Sequence, residues 1–111
     1  MIEKTVYDFL KSRKLNANMF IPNPQPKSFY LIEKTGSSRA NRIETSTIII
    51  QSYATSLLEA AQMNEAVKSL MLEELAENTD VVSVHLNGDY NFTDTTTKSY
   101  RYQAVFLVVH Y

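Results

Sequence analysis

The chain has 111 residues, a formal net charge of −1, no cysteine and only two glycines, Gly36 and Gly88. Its length fits one domain that can bury a core without a disulfide, and the charge provides no basic excess for neutralising phosphates, which argues against nucleic acid as the main ligand. Two glycines are too few for phosphate loops or dinucleotide fingerprints, and apolar runs such as Ala104–Val109 are far shorter than the roughly 20 residues of a membrane span.

The N-terminal segment, residues 3–15, is predicted to be an amphipathic helix, because Val6, Phe9 and Leu10 recur at helical spacing. Residues 22–27, Pro-Asn-Pro-Gln-Pro-Lys, have proline at every second position. Proline fixes φ and removes the N–H donor, so this segment is predicted to be an extended connector. The three residues before it, Met19–Ile21, are a candidate short edge strand.

A long β-hairpin is predicted next. Residues 28–35 and 43–53 are rich in aromatic and β-branched side chains, as strands are. The polar residues 36–42 between them are interpreted as a loop, which carries Arg39 and Arg42.

Residues 56–77 predict the longest helix. Ser56 and Glu59 form a capping-box pattern at its start. One apolar stripe follows at helical spacing: Leu57, Ala60, Met63, Val67, Leu70, Met71 and Leu75.

Two more strands are predicted, at residues 81–87 and 99–111. The last strand has apolar side chains on both faces, which is typical of a central or an interface strand. Residues 88–98 are interpreted as a loop or an extended hairpin tip that carries Tyr90 and Phe92.

This element order predicts one α+β domain over residues 1–111. The expected architecture is a four-stranded antiparallel sheet made of two hairpins, with the N-terminal helix and the long central helix packed on one face.

No catalytic residue, cofactor site or metal site is predicted. A catalytic site needs a nucleophile, a base and an orienting group within reach of one another, and the sequence indicates no such set. His85, Asp89 and Asp94 are the nearest approach to a metal cluster, but their spacing matches no ligand pattern. Asp94 and the three threonines after it are interpreted as a turn.

The candidate subunit-interface residues are Arg39, Arg42, Tyr90 and Phe92. Arginine at a hairpin tip can reach a carboxylate on a partner, although such residues also serve solubility. Exposed aromatic side chains are enriched at interfaces, although they also pack in cores.

Two stretches carry a resemblance to a known family: SFYLIEKTGSSRANRIETSTIIIQSYATSLLEAAQMNEAVKSLM at 28–71 and DYNFTDTTTKSYRYQAVFLVVHY at 89–111. With the first helix, they resemble the tail-completion or tail-terminator proteins of long-tailed bacteriophages, especially phages and prophages of Gram-positive hosts.

The resemblance implies a structural virion protein that assembles in the host cytoplasm. It implies a ring, expected to be a hexamer, that caps the tail tube and presents a joining surface to the head connector. The implied partners are other copies of the chain, the tail-tube protein and a head-completion or connector protein. DNA would pass through the ring without being read, and no membrane, cofactor or catalytic residue is implied.

Three alternatives remain at this point. The first is another head–tail connector or a minor capsid component. The second is a small nucleic-acid-binding domain with Tyr100, Tyr102 and Phe106 as stacking residues. The third is a small enzyme, which the low glycine count and the two scattered histidines disfavour.

Overall fold

The computed structural model describes residues 2–93 and 100–111, which form a two-layer α+β fold. Its helices and strands are α1 (Ile2–Ser12), β1 (Ala17–Asn18), β2 (Phe29–Ala40), β3 (Ile43–Ala54), α2 (Leu57–Ser69), β4 (Val81–Asn91) and β5 (Tyr100–His110). A π-helical turn, Leu70–Glu74, and a 3₁₀ turn, Leu75–Glu77, extend α2. No helix in the described residues has the length and apolarity needed to cross a bilayer.

The main core lies between the helices and one face of the sheet. Alternate residues of β3 and β5 point into it, because side chains along a strand alternate between the two faces. Ile48, Ile50, Ala104, Phe106 and Val108 meet the helices there, and each is fully buried. The helices contribute Ile2, Val6, Leu10, Val67, Met71 and Leu75.

The prediction of an N-terminal amphipathic helix is confirmed, although α1 ends at Ser12. Lys14 adopts a left-handed backbone with φ of 63°. The Lys14 N–H donates to the Lys11 carbonyl and the Leu15 N–H donates to the Leu10 carbonyl, which closes the helix.

The prediction for the long helix is confirmed over nearly its whole length. The Glu59 N–H donates to the Ser56 hydroxyl at 3.2 Å, so Ser56 is the N-cap. Leu57 begins the predicted apolar stripe, but it is 41% exposed. It is the first helical residue, only three residues after the end of β3.

The prediction of a four-stranded antiparallel sheet is correct for two hairpins but wrong in detail. The sheet has five strands in the order β1-β2-β3-β5-β4, and β1 pairs in parallel with the start of β2. β1 is Ala17–Asn18 and not Met19–Ile21, because the Tyr30 N–H donates to the Asn16 carbonyl at 2.8 Å and sets the pairing earlier in the chain. β5 is central, as expected, with β3 and β4 on its two sides.

The predicted loop over residues 36–42 is wrong. β2 continues to Ala40, and a two-residue turn, Asn41–Arg42, closes the hairpin. Both turn residues have positive φ, 52° and 66°, which matches a type I′ turn. Of the two interpretations of residues 88–98, the extended hairpin tip agrees with β4, which continues to Asn91; residues 94–98 lie outside the described residues.

Candidate assembly surfaces

The second face of the sheet, here called the open face, has no helix on it in the described part of the chain. Among residues 2–93 and 100–111, its buried hydrophobic cluster consists of the strand residues Phe29, Leu31 and Tyr53. Towards the other end of the sheet, Ile49, Val105, Leu107 and Val109 are only half-buried. The open face therefore has an apolar strip, flanked by polar side chains such as Thr45, Thr47 and His85, with no covering layer among the described residues.

A set of side chains at one end of the open face, here called the Arg101 cluster, is centred on Arg101. The guanidinium lies 4.4 Å from the Phe92 ring centroid and 5.4 Å from that of Tyr53. Its Nη1 donates to the Tyr53 hydroxyl at 2.7 Å, and its Nε donates to the Phe92 carbonyl at 2.9 Å. Gln51, Gln103 and Tyr90 complete the cluster through further hydrogen bonds.

Two of the predicted interface residues, Tyr90 and Phe92, meet in this cluster. Their ring centroids are 5.8 Å apart with planes at 73°, and the residues are 45% and 44% exposed. The Tyr90 hydroxyl accepts a hydrogen bond from Gln103 Nε2 at 2.6 Å. The cluster therefore fixes both rings while leaving about half of each residue accessible.

An irregularity in β4 determines which face these rings occupy. The register shifts between Leu86 and Gly88, so one residue is inserted. Such a bulge moves every later side chain to the opposite face. As a result, Tyr90 pairs with Gln103 on the open face, while Asp89 pairs with Ala104 on the helix side.

Asp89 uses that position to connect β4 to α2. Its Oδ2 accepts from Lys68 Nζ at 2.6 Å and from Asn64 Nδ2 at 3.0 Å. The hydrogen bond from Lys68 holds the pKa of Asp89 below its ordinary value, and the same bond raises the pKa of Lys68. Asn64 itself is 1% exposed, so the contact anchors the hairpin at a buried point.

The other two predicted interface residues, Arg39 and Arg42, lie at the opposite end of the sheet. Arg39 Nε is 3.6 Å from Glu44 Oε1, but the Arg39 side chain remains 70% exposed. Arg42 occupies the turn and makes no ion pair with any residue that the structure describes. The four predicted residues therefore form two separate pairs.

A hydroxyl–imidazole–carboxylate group near Arg39 was not predicted. Ser46 Oγ lies 2.8 Å from His110 Nε2, and Glu44 Oε2 lies 3.9 Å from the same nitrogen. A cavity of about 390 Å³ borders His110 and Glu44. Ser46 does not line that cavity and is fully buried, so its hydroxyl cannot reach a substrate.

The structure bears on two further interpretations of the sequence, base stacking by Phe106 and a metal cluster. Phe106 cannot stack on a base because it is fully buried beneath the helices. Among residues 2–93 and 100–111, no three histidine, aspartate or glutamate side chains lie close enough to hold a metal ion. Asp94, the third residue considered for a metal cluster, lies outside these ranges. So does the turn that is predicted to begin there.

No protein-family model and no curated protein matches this chain. Function is therefore inferred from the surfaces of the molecule.

Sequence reasoning found the exposed rings and the exposed arginines but missed the residue that organises the rings. In the sequence, Arg101 is a polar residue in a predicted strand that is apolar on both faces. A usable signal was its position between two tyrosines, Tyr100 and Tyr102, at the start of the last predicted strand. Its contact with Tyr53 depends on strand pairing and has no local signature.

Proposed function

We propose that this chain is a structural virion protein that assembles as a ring, caps the tail tube of a long-tailed bacteriophage and presents a joining surface to the head connector. The observation that carries the proposal is the open face. Half-buried Ile49, Val105, Leu107 and Val109 form an apolar surface on a single layer of strands. Surfaces of this kind mark protein–protein contacts.

The two exposed pairs support docking between unlike surfaces. Arg39 and Arg42 lie at one end of the sheet, and Tyr90 and Phe92 lie at the other. A ring between a tube and a connector meets a different partner on each of its two sides. Cationic and aromatic patches at opposite ends of one subunit suit contacts above and below it, as a ring between a tube and a connector requires.

The backbone of Arg42 supports a role for its side chain. Its φ of 66° lies in the left-handed region, which favours glycine. A costly conformation at an exposed arginine is a reason to infer that the side chain is used. The contact expected is with a carboxylate on a neighbouring subunit or partner protein.

Under the same proposal, the chain has no catalytic role. The Ser46–His110 pair has the composition of a nucleophile and its base, but Ser46 has no exposed surface. The net charge of −1 suits a subunit that packs against its own copies and lets DNA pass without binding it. The proposed location is the neck of the virion, after assembly in the host cytoplasm.

Sedimentation with purified tail tubes tests this function. The native chain is expected to pellet with tubes and to be found by immunogold labelling only at tube ends. The variant with Arg39→Glu and Arg42→Glu is expected to lose at least tenfold in tube binding or head joining. Its control, with Lys11→Glu and Lys27→Glu, carries the same net charge and should behave as the native chain.

The aromatic pair is tested in the same assay with Tyr90→Ala combined with Phe92→Ala. Binding to heads but not to tubes would instead identify another connector or a minor capsid component. Salt-dependent retention on DNA would favour the nucleic-acid alternative. Absence of binding to tubes and heads alike would overturn the proposed function.

A further inference from the structure

The solvent exposure of strand β2 changes abruptly at residue 33. Phe29, Tyr30, Leu31 and Ile32 are all buried, whereas each of the eight residues from Glu33 to Ala40 is exposed. All of them except Thr35, which lies in a bulge, still pair with β3 on one side. On the other side, β1 covers only Tyr30 and Leu31. The segment Glu33–Ala40, here called the free edge of β2, thus lacks a second neighbouring strand among the described residues.

A free edge presents a row of N–H and C=O groups that can pair with another strand. The free edge of β2 carries features that limit unspecific pairing, because it has a bulge between Lys34 and Gly36 and the charged residues Lys34 and Arg39. A long edge with such protection can select one complementary strand. The residues on both of its faces are also accessible for packing.

We infer that the free edge of β2 pairs with β4 of a second copy, so that the sheet continues from subunit to subunit. This inference rests on the proposed function and specifies its subunit contact. β4 is the opposite edge of the same sheet. The pairs β2–β3, β3–β5 and β5–β4 are all antiparallel, so β4 runs antiparallel to β2.

That topology fixes the geometry of the join. If the sheet continues with the helices on the same side, β4 of one copy meets β2 of the next in the antiparallel sense, which is the commoner pairing. The contact uses unlike edges and is therefore head-to-tail, so it can close a ring. Exposed charges of opposite sign lie at the same level of the two edges: Arg39 on β2, and Asp80 directly before β4.

Disulfide trapping tests this join in the cysteine-free chain. Ser38→Cys is placed on the free edge of β2 and combined, one at a time, with Ser83→Cys, His85→Cys or Asn87→Cys on β4. Within one copy these strands are separated by β3 and β5, so they lie about 14 Å apart at the usual strand spacing. A disulfide needs Cα atoms about 4.4–6.8 Å apart, so any bridge must join two copies.

Oxidation of the correct pair, with and without tail tubes, is expected to give a ladder of species at multiples of 12.7 kDa on non-reducing gels. The control variant, Ser38→Cys with Gln62→Cys on the outer surface of α2, should give no ladder. Efficient dimers from Ser38→Cys alone would show pairing of β2 with β2 and overturn the inference.

Failure of this contact is distinguishable from failure of the function. No β2–β4 ladder from any pair, in variants that still sediment with tubes, would overturn the edge contact and leave the capping function intact. No ladder and no sedimentation would overturn both. A ladder without tube binding would establish the subunit contact and remove the capping function.

Discussion

The two hairpins of this sheet end in opposite ways. At the β4–β5 hairpin, Arg101 organises the end of the sheet that lies next to residues 94–99. Its guanidinium contacts Phe92, Tyr53 and Gln51. At the β2–β3 hairpin, the outer half of β2 is exposed on both faces and ends in a strained two-residue turn. The β4–β5 end is stabilised by contacts with Phe92 and with side chains of β3, whereas the β2–β3 end keeps its side chains and its edge accessible.

This difference shows that exposure alone does not distinguish the two kinds of surface. Tyr90 and Arg39 are both exposed, but Tyr90 is fixed by a hydrogen bond to Gln103, whereas Arg39 has only a 3.6 Å ion pair in solvent. Substitutions at the β4–β5 end should therefore change stability. Loss of a side chain at the β2–β3 end should change assembly and cost little stability.

The largest effect on folding is expected for Arg101→Ala. The substitution removes the stacking on Phe92 and leaves the Tyr53 hydroxyl and the Phe92 carbonyl without this donor, so the free energy of unfolding should fall by about 2–3 kcal/mol. Urea unfolding followed by circular dichroism measures this. Arg39→Ala is the matched control and should cost less than about 0.5 kcal/mol. Equal losses for the two variants would contradict the comparison.

A smaller effect is expected for Asp89→Asn, at about 1–2 kcal/mol near pH 7, because the substitution removes the charge that accepts from Lys68 and Asn64. The pKa of Asp89 is lowered in the folded state, so its contribution is present above the unfolded value of about 4 and is lost as pH falls through the folded value.

The pKa of Lys68 is raised in the folded state, so the contribution of its contact is lost again as pH rises above about 10. Unfolding measured across this range should show the native chain and Asp89→Asn converging at acidic pH. Asp8→Asn, which breaks an exposed pair with Lys4, is the control and should show a much smaller difference. A constant gap down to pH 2 would contradict the assignment.

At the other hairpin, Arg42→Gly should raise the free energy of unfolding by about 1 kcal/mol, because glycine adopts the left-handed conformation of this turn position without steric cost. Thermal unfolding measures the gain. The same variant should bind tail tubes more weakly, since it lacks the guanidinium. A variant that is both more stable and fully active would remove Arg42 from the interface.

The smallest effect is expected for Tyr90→Phe, at about 0.5 kcal/mol, because only the hydrogen bond from Gln103 is lost at a half-exposed site. Tube binding should persist, since the ring and its contact with Phe92 remain. A loss of binding with unchanged stability would show that the hydroxyl itself contacts the partner.

Elements whose cause is local could be predicted from the amino-acid sequence. The capping residue Ser56 and the helical stripe through Val67 and Met71 depend on neighbours three or four positions away, so the long helix could be predicted from the chain alone. The two hairpins could be predicted for the same reason, since period-two patterns and short connections are local. Four exposed candidates could be chosen from their chemistry and from their positions between the predicted strands: Arg39, Arg42, Tyr90 and Phe92.

The arrangement of those candidates depends on contacts between distant parts of the chain. The bulge after Leu86 turns Tyr90 to the open face and Asp89 towards Lys68. No local residue pattern predicts this bulge. β1 pairs in parallel through backbone hydrogen bonds at Asn16, which carry no hydrophobic signal. The separation of the arginine pair from the aromatic pair follows from strand order, because strand pairing joins residues that lie far apart in the chain and so cannot be read from local spacing.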